Sequence, residues 1–283
     1  MVKKAFCIAG YSIRQWLTDP RIISLFIFMI ILIWNDLTVI GDLTGMTGIY
    51  TNPLIFPFFS SDPLKQLVLL SGVVFLFSDA PFINSNQLYV IARSKRRPWA
   101  LGQVLYILLA SALYFLILMG VSVLVLLPYA SFETNGWGKI VNTLAQTNAG
   151  VQLRLQFAVS GKIVSNYTPL EAFGLSFLLC WGVGCFLGLV MFVINLKWNK
   201  RVGLVIDALI LFLDLLTLNI LPLKYFHFSP VSLSRLSVFD PSGASEYPTI
   251  GYGVAFFGVS VVVLSVLAVV SFQKTPIEIA PEV

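Results

Sequence analysis

Six long apolar runs divide the chain, at about residues 22–41, 64–83, 99–128, 169–196, 202–222 and 251–272. A helix needs about 20 mostly apolar residues to cross a bilayer, so each run predicts a span. The third and fourth runs are about 30 residues long and must tilt or project beyond the hydrocarbon. Ahead of the first run, Phe6, Ala9, Ile13, Trp16 and Leu17 fall on one helical face, while Lys4, Arg14, Gln15 and Thr18 fall elsewhere. That spacing predicts an amphipathic helix over 3–18 lying in the membrane interface. It should stop near Thr18-Asp19-Pro20-Arg21, because Pro20 disfavours a helical backbone at Asp19.

The links between runs carry their own patterns. In the segment 129–168, Val151, Leu153, Leu155, Phe157 and Val159 alternate with mostly polar or small neighbours. Period two predicts a strand, with Ser160-Gly161 as a hairpin turn. The segment 223–249 is apolar but punctuated by Pro230, Pro241 and Pro248, which predicts short helices or turns at the membrane surface. The expected fold is an all-α polytopic membrane protein: a single transmembrane domain over 1–283, with six helices and a partly β loop between spans three and four.

Composition agrees with that class. Of the 283 residues, 58% are hydrophobic and 11% charged, against about 25% charged in soluble chains. The 18 basic residues set the orientation. With the N-terminus inside, twelve of them lie in inside segments (Lys3, Lys4, Arg14, Arg21, Arg93, Lys95, Arg96, Arg97, Lys197, Lys200, Arg201, Lys274) and six in the longer outside ones. The positive-inside rule therefore predicts both termini on the cytoplasmic side of a cell membrane. The opening MVKK is followed by a run too interrupted by polar groups to make a cleavable signal peptide. Cys7, Cys180 and Cys185 suggest neither a disulfide framework nor a metal site.

Catalytic chemistry has few candidates. The single histidine, His227, lies among phenylalanines, and Ser242-Gly243-Ala244-Ser245 has no base beside it. No HExxH and no GxxxxGK[ST] occurs, so neither a zinc protease nor a nucleotide site is expected, and no cofactor in this chain. The acids in the apolar runs carry more information. Asp207 and Asp214 are seven residues apart on nearly one face of the fifth span, and Asp79 sits near the inner end of the second. Charged groups at such depth line a path for ions or polar substrates, or else pair with neighbouring helices and with nearby cations such as Arg97, Lys200 and Arg201.

One short link stands out. Between the second and third runs, Arg93, Lys95, Arg96 and Arg97 gather four cations just before Pro98 and Trp99. Topology alone makes such a loop basic. Its form adds a second reading: Gln87 to Ala92 can extend a helix past the second span, and Pro98 opens the third in the favoured first turn.

The stretch DAPFINSNQLYVIARSKRRPWALGQVLYI, residues 79–107, resembles the connection between the second and third spans in the permease subunits of type-2 ATP-binding-cassette exporters, especially the small permeases of Gram-positive bacteria. The resemblance extends over the whole chain: interfacial N-terminal helix, six spans, both ends inside. It implies that residues 84–97 form a coupling helix, with Gln87, Tyr89, Arg93, Lys95, Arg96 and Arg97 docking on a separate cytoplasmic ATPase that carries ATP and magnesium. It also implies a dimer with a second copy or a related permease, exporting a peptide, an antibiotic or a lipid-like substrate. Two alternatives stand beside it: an ion- or proton-coupled transporter or channel using Asp79, Asp207 and Asp214, and a sensor or scaffold whose outside loops bind a ligand.

Overall fold

The computed structural model describes residues 2–82, 90–91, 94, 96–132, 136–198, 200–241, 243 and 245–274. The chain is all-helical among these residues, without a strand; a lone bridge joins Thr51 to Ala130. Five helices are long and apolar enough to cross a membrane. They are α2 (Pro20–Thr47), α5 (Arg96–Leu126), α9 (Pro169–Lys197), α10 (Lys200–Asn219) and α11 (Ile250–Lys274). The expected second span is different. It is a 14-residue helix, α4 (Pro63–Leu76), preceded by the six-residue α3 (Phe56–Ser61). At 1.5 Å per residue α4 is about 21 Å long, short of the roughly 30 Å hydrocarbon core. Pro63, next to the α4 cap Asp62, breaks the apolar run on one side, and the turn over 77–81 ends the helix before Pro81 on the other.

The burial pattern is inverted relative to a water-soluble bundle. On α10, Gly203, Asp207, Leu211, Asp214 and Thr217 face inward, while Val205, Leu209, Phe212 and Leu213 are exposed. On α2, Asp36 and Thr44 are buried, while Ile27, Phe28, Ile31 and Trp34 are exposed. Valines 259, 262, 263, 266 and 270 cover the outer face of α11. Polar groups inside and a continuous apolar exterior are what a hydrocarbon solvent selects, since it offers exposed polar groups no partner. The protein is a polytopic, helical membrane protein.

Helix α9 runs through the middle, packed against α5, α10, α11 and the α3–α4 pair. Its Trp181 donates from Nε1 to the Leu108 carbonyl of α5 at 2.9 Å. The N-terminal helix α1 (Val2–Arg14) and the tight turn Gln15–Leu17 lie across the first turns of α5. Gly102 permits that approach, because a Cβ there would meet Ile8 at 2.8 Å. The face of α1 that packs on the protein is Ala5, Ile8, Ala9, Ser12 and Trp16, rotated from the expected apolar stripe. Phe6 and Leu17 from that stripe point away, 54% and 82% exposed, leaving them to the surrounding lipid. The chain then turns where Pro20 requires it: Asp19 is extended and its side chain accepts from the Arg21 amide at 3.0 Å, capping α2.

The far end is closed by irregular chain. Here the structure corrects the expected strand. Val151–Val159 holds the end of a short helix, α7 (Ala149–Gln152), followed by turns, and Ser160-Gly161 opens another helix, α8 (Gly161–Asn166), instead of a hairpin. The alternation nevertheless has a physical counterpart. From Gln152 to Ala158 the even-numbered residues are exposed, whereas Leu153, Leu155 and Phe157 turn inward and Phe157 packs edge-on against Phe59. Period two reports one-sided packing, and with no partner chain alongside no ladder forms. Ahead of it, α6 (Gly138–Gln146) follows Trp137, which rests edge-on against Phe58 and donates to the Tyr167 carbonyl at 2.9 Å. The segment 223–238 forms three short helical turns, as its prolines suggested.

Candidate functional site

The buried charges of the bundle form a polar layer two-thirds of the way along it. Asp36 lies 16 residues after Pro20 on α2, about 24 Å along the axis, and Asp214 lies 14 residues after Lys200 on α10, about 21 Å. Each has a cation brought to it. Lys65, in the first turn of α4, places Nζ 2.6 Å from Asp36 Oδ2. Arg235 reaches Asp214 from the turns before α11, and both side chains are almost fully buried.

Asp214 is the hub. Its Oδ1 accepts from Ser229 Oγ at 2.8 Å and from Ser232 Oγ at 2.5 Å, and its Oδ2 accepts from Arg235 Nη2. Thr217 Oγ1, one turn on, donates to the Asp214 carbonyl at 2.7 Å. Gln66 ties the two pairs together: it follows Lys65 in sequence, and its Nε2 donates to the Val231 carbonyl at 2.9 Å and to Ser234 Oγ. Burial pulls the Arg235 guanidinium below its ordinary basicity, and Asp214 acts in the opposite direction. A guanidinium keeps its proton regardless, so the layer is charge-paired.

The three aspartates singled out in the sequence therefore part company. Asp79 is not in the layer; it lies at the α1 end, about 60% exposed, and is gripped by Arg21 Nη1 at 2.9 and 2.7 Å. Asp214 is consumed by its ion pair. Asp207, two turns earlier on the same face of α10, is fully buried, and neither of its carboxylate oxygens has a partner among the described residues. Asp79 pairs with Arg21 and Asp214 with Arg235, not with the Arg97 or Arg201 named from the sequence, and the Lys200 side chain lies outside the described residues. Of the docking residues, Gln87, Tyr89, Arg93 and Lys95 lie outside the described residues. Arg96 and Arg97 open α5, where Arg96 Nη1 donates to the Gln273 carbonyl of α11 at 3.2 Å and Arg97 is exposed.

Around Arg96 the α1 end is tightly joined. Trp16 Nε1 donates to the Tyr106 hydroxyl at 3.0 Å, linking α1 to α5. Trp99 stacks on Phe272 with centroids 4.4 Å apart, linking α5 to α11. Asn195 of α9 donates to the Ala80 carbonyl at 2.9 Å and accepts from the Gly203 amide of α10 at 2.8 Å. His227 lies in a helical turn beside Tyr252, and no group of three or more potential metal ligands occurs among the described residues.

Sequence reading missed Asp36, Lys65, Gln66 and Arg235. A signal existed for Asp36, an acid inside an apolar run, which implies a buried cation elsewhere in the chain. Nothing in the sequence pairs it with Lys65.

Comparison with known protein families, with characterised proteins and with solved structures returns no match.

The paired layer makes a stability prediction. Arg235→Met leaves Asp214 buried with its serines but no cation and should cost about 3 kcal/mol or more, whereas Arg235→Met combined with Asp214→Leu should recover much of that loss. Thermal unfolding of the purified protein in detergent measures both.

Proposed function

We propose that the chain is the permease subunit of an ATP-binding-cassette exporter, without catalysis of its own. It works in the cell membrane with both termini cytoplasmic, as a dimer with itself or a related permease, and with a separate ATPase that carries ATP and magnesium. The observation that carries this reading is the joined α1 end. Segment 84–97 connects α4 to α5, and both flanks are tied to other helices: Asp79 to Arg21 of α2, Ala80 to Asn195 of α9, and Arg96 to Gln273 of α11. A push on that short basic link is delivered to three other helices at once, which is what a subunit lacking its own motor needs. The substrate classes this reading implies are a peptide, an antibiotic or a lipid-like molecule.

A second reading, ion- or proton-coupled transport, is favoured by one observation: Asp207 is buried and unpaired among the described residues, where an intramembrane carboxylate otherwise finds a partner. The experiments separate the two. In the exporter, replacing Arg93, Arg96 and Arg97 together by alanine should leave the protein inserted but reduce the co-purifying ATPase at least about tenfold, the loss expected when a few charge-assisted contacts go. An unchanged yield of ATPase would contradict the docking assignment. In the alternative, Asp207→Asn abolishes uptake driven by a pH gradient in proteoliposomes containing this chain alone; gradient-driven uptake that survives the substitution contradicts it.

A further inference from the structure

A cavity of about 70 Å³ lies at the α1 end, walled by α1, the start of α2, the turn after α4 and α5. It is separate from the buried polar layer and borders the docking link, with which it shares the Asp79–Arg21 pair. Its charged groups are Asp19, Arg21 and Asp79. Arg21 serves both acids, donating from Nη1 to Asp79 and from its amide to Asp19 Oδ1. Asp79 faces the guanidinium and Asp19 the Arg21 backbone amide, so the lining carries two carboxylates and one cation.

The neutral lining also has hydrogen-bonding capacity to spare. Ser12 is only 5% exposed, and its Oγ has no partner among the described residues, although a buried hydroxyl is ordinarily bonded. The Tyr106 hydroxyl accepts from Trp16 and keeps its own proton for a further acceptor. Ile22, Phe75, Leu76 and Phe82 complete the wall. The mouth is open, because the Arg21 and Asp79 side chains are 61% and 60% exposed. It opens where α1, with Lys3 and Lys4 exposed on one side and Phe6 and Leu17 on another, has the character of an interfacial helix.

We propose that this cleft binds the headgroup of a membrane phospholipid bearing a primary ammonium, with the ammonium against Asp19 and Asp79 and the phosphate against Arg21. A zwitterion answers both signs of charge in the cleft. An anionic headgroup leaves the excess carboxylate uncompensated and a simple cation leaves Arg21 without an added partner. The ammonium donates hydrogen bonds to the carboxylates and to Ser12 Oγ, and the phosphate oxygens accept from Arg21 and from the Tyr106 hydroxyl. Donor chemistry selects within the zwitterions. A primary ammonium has N–H groups to give to Asp19, Asp79 and Ser12, all of which line the cleft, whereas a trimethylammonium has none. The proposal stands whether or not the chain partners an ATPase.

The test is native mass spectrometry of the full-length protein released from nanodiscs holding equal amounts of phosphatidylethanolamine and phosphatidylcholine. The expected result is retention of phosphatidylethanolamine about tenfold over phosphatidylcholine, the factor that one charge-assisted hydrogen bond supplies. Asp79→Asn and the smaller change Ser12→Ala should each bring that preference toward one, in protein whose melting temperature shows it folded. Equal retention of the two lipids by the native chain, or a preference unchanged in both variants, would overturn the proposal.

Discussion

A hydrocarbon solvent cannot hydrogen-bond, and that constraint organises this protein from its longest helices to its shortest turns. Each long helix turns its apolar side chains outward, so its polar ones must find partners within the bundle. Asp36 and Asp214 are the two buried carboxylates that find a cation, as charges at such depth usually do. Lys65 and Arg235 supply the two cations, and neither comes from a spanning helix of full length. Lys65 requires α4 to begin well inside the bundle. Arg235 requires the turns before α11 to fold down onto α10, where Ser229 and Ser232 join it around one carboxylate. The broken α3–α4 pair and the buried turns of residues 229–238 are thus two consequences of the same requirement, and Gln66 locks one to the other.

The two ends of the bundle are built differently. At the far end, irregular chain and short helices cover α3, whose six residues are all buried, with Trp137 and Phe157 set against Phe58 and Phe59. At the α1 end the described residues include little covering chain. Long helices meet there directly, through a tryptophan–tyrosine hydrogen bond, an aromatic stack, an asparagine bridge and an exposed ion pair. A load applied at that end passes through side chains that already touch.

Much of this was legible in the residues. The five long helices follow from apolar runs alone, and the turn at Asp19-Pro20 from the restriction that proline imposes on its neighbour. The amphipathic start was legible as a helix, but not in its orientation. An interfacial helix has two apolar neighbours, protein and lipid, and hydrophobicity does not tell Ala5 and Ile8 from Phe6 and Leu17; small size at the contact, set by Gly102, does. Residues 64–83 read as a span because hydropathy counts side chains without seeing that the turn over 77–81 ends the helix at Leu76. The alternation over 151–159 read as a strand because one-sided burial has period two whether or not a second chain segment lies alongside. The ion pairs were least visible. Their partners lie 29 residues apart (Asp36 to Lys65) and 21 apart (Asp214 to Arg235), on elements whose packing decides the meeting.

The most direct measurement of the central claim, an apolar exterior in lipid around a polar interior, is the collision rate of nitroxide labels with oxygen and with a water-soluble nickel chelate in proteoliposomes. Labels at Ile31 on α2, Phe212 on α10 and Val262 on α11, exposed by 62%, 57% and 64%, should meet oxygen readily and the chelate hardly at all, while a label at Val151 in the far-end cap, 80% exposed, should meet the chelate. Strong chelate collisions at Ile31, Phe212 and Val262 would place those faces in water and contradict the account.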